Sequence, residues 1–136
     1  MVLELTSVIK EQSMALSDLL EKLDKQHKLI VNKDIFGLEG IVEEIQLCNK
    51  KIAEVEVKRR KLTGSASVSQ LVKDSNSKEL DDVHREITKV LHMVKLQKDT
   101  NEILIRQGLG FTNKLLEVLN PKKETNVYNS YGHIRR

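Results

Sequence analysis

Residues 2–31 read VLELTSVIKEQSMALSDLLEKLDKQHKLIV, and the spacing of their apolar side chains decides the fold. Alternating steps of four and three residues join eight positions of this stretch: Leu5, Ile9, Gln12, Leu16, Leu19, Leu23, Gln26 and Ile30. This alternation is the heptad seam of a helix that packs lengthwise against another helix. The stretch therefore predicts one long helix from about Val2 to Val31, and the two glutamines in its seam help to fix the register.

A second seam follows after a short interruption. Asn32, Lys33 and Asp34 break the pattern, and the carboxylate of Asp34 suits a helix N-cap. Steps of three and four then join Leu38, Ile41, Ile45, Cys48, Ile52, Val55, Arg59 and Leu62. A connection this short favours an antiparallel helical hairpin. Since Cys48 falls on the seam, we expect its thiol to be a buried packing group.

A polar loop separates the hairpin from the last helical pattern. Residues 63–77, TGSASVSQLVKDSNS, are rich in Ser, Thr and Gly. Within them Val68, Leu71 and Val72 have the spacing of one apolar helix face. The loop is therefore predicted to contain a short helix.

The last pattern is the longest. With Asn76 as its predicted N-cap, a third seam contains Leu80, Val83, Ile87, Val90, Val94, Gln97, Asn101, Leu104, Gly108, Phe111, Leu115 and Val118. Asn120 and Pro121 stop it. The predicted helix has about 42 residues and extends over roughly 63 Å, unless it bends at Gly108 and Gly110.

Together these elements predict an all-α fold. We expect an elongated antiparallel bundle of three long helices with coiled-coil-like packing, in which a hairpin is joined by one very long C-terminal helix and a short helix lies in the 63–77 loop. The bundle domain comprises residues 1–120. Residues 121–136, PKKETNVYNSYGHIRR, have no hydrophobic period and are expected to form a polar, flexible tail.

Composition argues against several classes of protein. Aromatic residues make up only 3% of the chain, which is few for a cofactor pocket or a base-stacking surface. The 23 Lys and Arg nearly balance the 20 Asp and Glu, and the basic run 58–61 suits a helix C-terminus, so we expect no nucleic-acid binding. One cysteine and the lack of a long apolar run favour a cytoplasmic protein without membrane insertion.

The sequence also lacks the motifs of common enzymes. It has no glycine-rich phosphate loop, no HExxH and no Gly-x-Ser-x-Gly. Asp81 and His84 could share a helix face, but none of the four histidines belongs to a Glu-x-x-His pair, two of which a di-iron helical bundle uses. We therefore expect no catalytic activity, no cofactor and no metal site.

The informative anomaly is a second apolar stripe in the last predicted helix. Ile105, Leu109, Leu116 and Leu119 lie outside the third seam and are turned from it by roughly 60–140°. Two explanations are open. Either this surplus is buried by the Ser-rich segment or by a second copy of the chain, or it binds an amphipathic helix of another protein.

Four features of the sequence, taken in order, carry a resemblance to a known protein family. They are the heptad hairpin with Asp34 and Leu38, the run EVKRRKL at 56–62, the run NEILIRQGLGFTNKLLEVL at 101–119, and the spaced tyrosines Tyr128 and Tyr131. In this order they resemble the FlgN family of flagellar type III export chaperones. The resemblance extends over nearly the whole chain.

The resemblance implies a function and a set of site residues. FlgN-type proteins bind hook–filament junction proteins (clients, below) in the cytoplasm, prevent their premature assembly and deliver them to the flagellar export gate. The client-binding residues implied here lie in the second half of the last helix and are Ile105, Leu109, Thr112, Leu116 and Leu119. Tyr128 and Tyr131 are expected to dock on an export-gate component.

A different class of function uses the same stripe. In this alternative the chain is a structural coiled-coil scaffold or an oligomerisation subunit without a client. The second apolar stripe then joins copies of the chain into a homo-oligomer.

Overall fold

The computed structural model describes residues 1–107, most of which are helical. The helices are α1 (Val2–Val31), α2 (Ile35–Thr63), α3 (Val68–Ser75) and α4 (Lys78–Arg106), and this part of the chain contains no strand. The predicted all-α class, the hairpin and the short helix in the 63–77 loop are confirmed. The predicted continuation of the last helix to residue 120, the domain boundary there and the tail at 121–136 lie outside the described residues.

The turn between α1 and α2 uses three residues. Asn32 ends α1, and Lys33 has a left-handed backbone with a φ of 56°. The backbone amides of Lys33 and Asp34 donate to carbonyls in the last turn of α1, each at 3.0 Å. Asp34 then caps α2, because its Oδ1 accepts a hydrogen bond from the Gly37 amide at 2.8 Å. The predicted N-cap is thus confirmed.

Gly37 allows the two helices to approach closely beside this turn. A Cβ atom at this position would lie 2.6 Å from the Leu29 side chain and 2.7 Å from the Asp34 carboxylate. Neither contact is sterically acceptable. A larger residue would therefore require the side chains of Leu29 and Asp34 to move, which would disturb the N-cap of α2.

The helix α1 lies at the centre of the bundle and packs along both α2 and α4, while α3 packs on α4. The core has three parts. The first cluster lies at the α3 end and contains Leu5, Val8, Ile9, Val55, Val72 and Leu80. The middle cluster contains Leu16, Leu19, Leu23, Val90 and Val94. The end cluster lies beside the hairpin turn and contains Ile30, Leu38 and Ile105.

The junction between α3 and α4 differs from the predicted one. Asn76 is not the N-cap of α4; it ends α3 in the left-handed conformation, with a φ of 53°. Asn tolerates this conformation better than most residues. The N-cap is Ser77, whose hydroxyl accepts a hydrogen bond from the Leu80 amide at 3.1 Å. Two adjacent polar residues therefore divide the two caps between them.

Candidate functional site

Of the residues predicted to bind partners, only Ile105 belongs to the described part of the chain. The other four client-binding predictions (Leu109, Thr112, Leu116 and Leu119) and the two docking tyrosines (Tyr128 and Tyr131) lie outside the described residues. The candidate site is therefore described through the residues that surround Ile105. They are formed by the turn end of the hairpin and the C-terminal end of α4.

Ile105 is a core residue in this structure. Its side chain is 4% exposed and packs with Ile30 and Leu38, and Leu29 and Leu104 cover the same cluster from the side. This differs from the prediction, which placed Leu104 in the intramolecular seam and Ile105 on the second apolar stripe outside it. The end cluster thus holds the start of the predicted client-binding surface against the hairpin.

Helix geometry explains this difference. A seam with a 3.5-residue period drifts by about 20° per heptad on a straight helix of 3.6 residues per turn. From Leu80 to Leu104 the drift adds up to about 70°, which moves the core-facing line most of the way to the next residue. Ile105 consequently replaces Leu104 as the most buried residue of the last turn.

A buried polar layer separates the end cluster from the middle cluster. Asn101 is 0% exposed, and its Nδ2 donates to the Leu23 carbonyl and to Gln26 Oε1, both at 2.9 Å. Its Oδ1 accepts a hydrogen bond from Gln97 Nε2 at 2.9 Å. These bonds join α1 to α4 at one defined register. A buried amide in a helical seam serves this purpose, because every other register leaves it without partners.

His27 lies at the edge of the same layer. Its Nδ1 is 3.3 Å from Asn101 Oδ1 and 3.3 Å from Gln97 Nε2. The ring therefore covers the buried amide of Asn101 on the solvent side. The sequence pattern placed Gln26, Gln97 and Asn101 in the seams but gave no indication that His27 meets them.

Large apolar side chains surround the hairpin turn without being buried by it. Phe36 is 88% exposed, Val31 is 61% exposed and Ile35 is 48% exposed. On α4, Ile103 is also exposed. Monomeric proteins rarely leave a cluster of large apolar side chains in water unless it contacts something else.

Three of the four residues in the basic run 58–61 form ion pairs with carboxylates on α1 and α2. Lys58 Nζ lies 3.0 Å from a Glu11 carboxylate oxygen. Glu56 accepts hydrogen bonds from Arg59 at 2.8 and 2.9 Å, and from Arg60 at 3.1 Å. Its other partner is Gln12, which donates from α1 at 2.8 Å. These contacts support the structural interpretation of the run.

The Glu56 contacts make part of the stability dependent on pH. Hydrogen bonds from Arg59 lower the pKa of Glu56 from 4.5 to about 2, against an opposing effect of burial. A carboxylate with a lowered folded-state pKa stabilises the protein above about pH 4.5 and loses this contribution as the pH falls toward 2. After discounting for solvent at a side chain that is one-third exposed, about 1–2 kcal/mol remains.

We therefore expect wild type and Glu56→Gln to differ most in their free energy of unfolding at neutral pH. Their curves should converge between about pH 4.5 and pH 2. Urea titrations at several pH values measure this. A difference that stays constant from pH 7 to pH 2 would show that the ionised carboxylate contributes nothing.

Cys48 is half-buried, whereas the seam predicted full burial. It packs at the edge of the middle cluster. Burial raises the pKa of its thiol, and the nearby carboxylate of Asp18 raises it further.

We expect a disulfide reagent at neutral pH to label the Cys48 thiol of the folded protein at least about tenfold more slowly than that of the protein in urea, since the thiolate is the reactive form. Equal rates would contradict this placement.

An open groove of about 410 Å³ lies between the middle of α1 and α4. Lys10, Asp18 and Glu86 contribute charges of both signs to it, beside the side chains of Met14 and Val83.

Within residues 1–107, no three His, Cys, Asp or Glu side chains come together in a way that could hold a metal ion. No helix in the same part combines the length and the apolar character that a membrane crossing requires.

Comparison with known proteins gave one informative result. Neither the curated proteins nor the solved structures contained a match to this chain. A family model described as "FlgN protein" matches residues 1–136. FlgN proteins are flagellar export chaperones that bind hook-associated proteins, act in the cytoplasm and are not enzymes. Because the match extends over every residue, this chain belongs to the FlgN family.

Proposed function

We propose that this chain is a cytoplasmic chaperone for hook–filament junction proteins. It binds an amphipathic helical segment of the client, prevents premature assembly and delivers the client to the flagellar type III export gate. The observation that carries this proposal is the family match over residues 1–136. Helical segments with one apolar face are a common target of protein grooves.

The proposed client surface consists of the second apolar stripe (Ile105, Leu109, Leu116 and Leu119) together with Thr112. Ile105 is its first member, and its burial in the end cluster supports a specific role. By packing with Ile30 and Leu38, Ile105 joins the C-terminal end of α4 to the hairpin.

Tyr128 and Tyr131 are proposed to dock on the export gate. Each combines an apolar ring with a hydroxyl group, a combination that is frequent at protein interfaces. Two such side chains on a polar segment suit a contact that is weak and reversible. Client binding and gate docking would then use separate residues of the chain.

Co-purification with the hook–filament junction proteins of the same organism tests the proposal. We expect a discrete complex in size-exclusion chromatography with light scattering, with a mass equal to the sum of whole numbers of both chains. A chain that forms only homo-oligomers and leaves every junction protein in its own peak would support the scaffold alternative instead.

A further inference from the structure

We propose that the outward face of α2 is a self-association surface, on which α2 of a second copy of this chain packs in the antiparallel direction. This face, called the outer seam below, contains six exposed residues at alternating steps of four and three: Glu43, Leu47, Lys50, Glu54, Val57 and Lys61. The outer seam is separate from the second apolar stripe. The inference goes beyond the proposed function and does not depend on it.

The outer seam is a second heptad pattern, on the side of α2 that faces away from α1. From this helix the core takes Ile41 and Val55, which are 1% and 0% exposed. Val57 is turned from Val55 by about 200°, so the outer seam lies nearly opposite the core-facing line. Its two apolar residues, Leu47 and Val57, are 67% and 51% exposed. Heptad patterns on opposite sides of one helix are typical of a helix with a packing partner on each side.

The charges of the outer seam are not used by the bundle. Within residues 1–107, no ion pair is formed by the four charged residues of the outer seam: Glu43, Lys50, Glu54 and Lys61. Charges of α2 on the α1 side do form ion pairs. Glu44 lies 3.3 Å from Lys22, and Lys58 lies 3.0 Å from Glu11. The outer seam therefore presents charges of both signs that are available to a partner.

An antiparallel second copy complements every position of the outer seam. When a two-fold axis relates two antiparallel helices, residues on opposite sides of the axis and equally far from it face each other. With the axis beside Ile52, three kinds of layer form between the copies: Glu43 with Lys61, Leu47 with Val57, and Lys50 with Glu54. The two-fold axis repeats each of them. Every ionic layer then joins opposite charges, and every apolar layer joins two apolar side chains.

Other arrangements of the same face bring like charges together. A parallel pair would place each residue against its own copy, so that Lys50 meets Lys50 and Glu54 meets Glu54. A shift of the antiparallel pair by one heptad places Glu43 against Glu54, or Lys50 against Lys61 in the other direction. Opposing like charges are destabilising and exclude such pairings. The charges of the outer seam thus select one orientation and one register.

The flanking positions and the size of the contact determine its strength. Beside the axis, the exposed Ala53 has a small side chain that allows the helices to approach. On the other flank the two Lys51 side chains come near the axis, and each lies 3.9 Å from Glu11 of its own chain. The seam from residue 43 to residue 61 is only about 27 Å long. We therefore expect a reversible dimer with a Kd between about 1 and 100 μM, as in small transient interfaces.

Charge reversal in the full-length chain tests this inference by sedimentation equilibrium. Glu54→Lys opposes Lys50 with a second lysine, and Lys50→Glu opposes Glu54 with a second glutamate. Each variant alone should self-associate at least about tenfold more weakly than wild type. An equimolar mixture of the two variants should form a heterodimer about as tightly as wild type dimerises, because every ionic layer again joins opposite charges.

The matched control is Asp99→Lys, which makes the same change of net charge at an exposed position on α4. It should leave the Kd of the dimer unchanged. All three variants should keep the melting temperature of wild type, since each substituted side chain is exposed. None of these measurements uses a client, so a failure of the proposed function leaves their result intact.

Three outcomes would overturn the inference. A wild-type chain that stays monomeric at about 1 mM would show that no such dimer forms. A dimer that persists unchanged in Glu54→Lys would show that the copies associate through another surface. A mixture of Glu54→Lys and Lys50→Glu that remains monomeric would show that the two residues do not meet across the axis.

Discussion

The double substitution Leu109→Asp and Leu116→Asp is expected to weaken client binding by roughly a thousandfold. The two positions are seven residues apart and fall on nearly the same line of the predicted helix, with Ile105 four residues before the first. Each buried anchor of an interface contributes about 2 kcal/mol or more, so two account for this loss. Titration calorimetry with a purified junction protein measures the change.

The bundle should stay folded in this double variant. The three core clusters of the described residues lie between Leu5 and Ile105. In the predicted continuation of the helix, Phe111, Leu115 and Val118 form the intramolecular seam, and both substituted positions lie outside it. The melting temperature should therefore stay close to that of wild type. The matched control is Leu91→Asp, a leucine of α4 that is exposed in the described bundle and lies outside the proposed site. A double variant that unfolds would place the second stripe in the core.

A second large effect is expected from Asn101→Asp, which preserves shape and changes only the amide. The Nδ2 atom of Asn101 donates two hydrogen bonds at a site with 0% exposure. A carboxylate in its place directs an oxygen at two acceptors, the Leu23 carbonyl and Gln26 Oε1, and brings a negative charge into the core. We expect a loss of about 3–5 kcal/mol in the free energy of unfolding at pH 7. This is a large part of the total stability of a typical domain.

The loss should depend on pH in a defined direction. Burial raises the pKa of such an aspartate in the folded state above its unfolded value of about 3.9. The penalty is therefore smallest below about pH 4, where the group is neutral in both states, and grows as the pH rises. Urea titrations at pH 4 and pH 7 measure it. Lys98→Asp, at an exposed position on α4, is the control and should change stability by less than about 0.5 kcal/mol. A variant as stable as wild type at pH 7 would contradict the buried layer.

Periodicity was sufficient to predict most of the fold. Seven of the eight predicted α1 seam positions are buried, and Gln12, the eighth, is half-buried. Asp34 caps α2 as predicted, because the carboxylate of an N-cap acts within three residues of itself. These features follow from local geometry and from one repeating distance, and both can be derived from the sequence alone.

The missed features depend on the accumulation of small angles or on contacts between distant residues. The burial of Ile105 follows from a drift of about 20° per heptad, which becomes decisive only after several heptads. The approach of His27 to Asn101 joins residues on two helices, and it could be derived only after their register was known. The polar seam residues Gln26 and Asn101 were a usable signal, since buried amides at such positions commonly pair.

The central claim is that the client binds the residues that follow the end cluster in the sequence, from Ile105 onward. Amide hydrogen exchange of the full chain, with and without a purified hook–filament junction protein, tests it most directly. The account predicts that the client slows exchange in residues 105–119, with little change in the middle of α2. Unchanged exchange in residues 105–119, or slowing confined to the basic run 58–61, would contradict it.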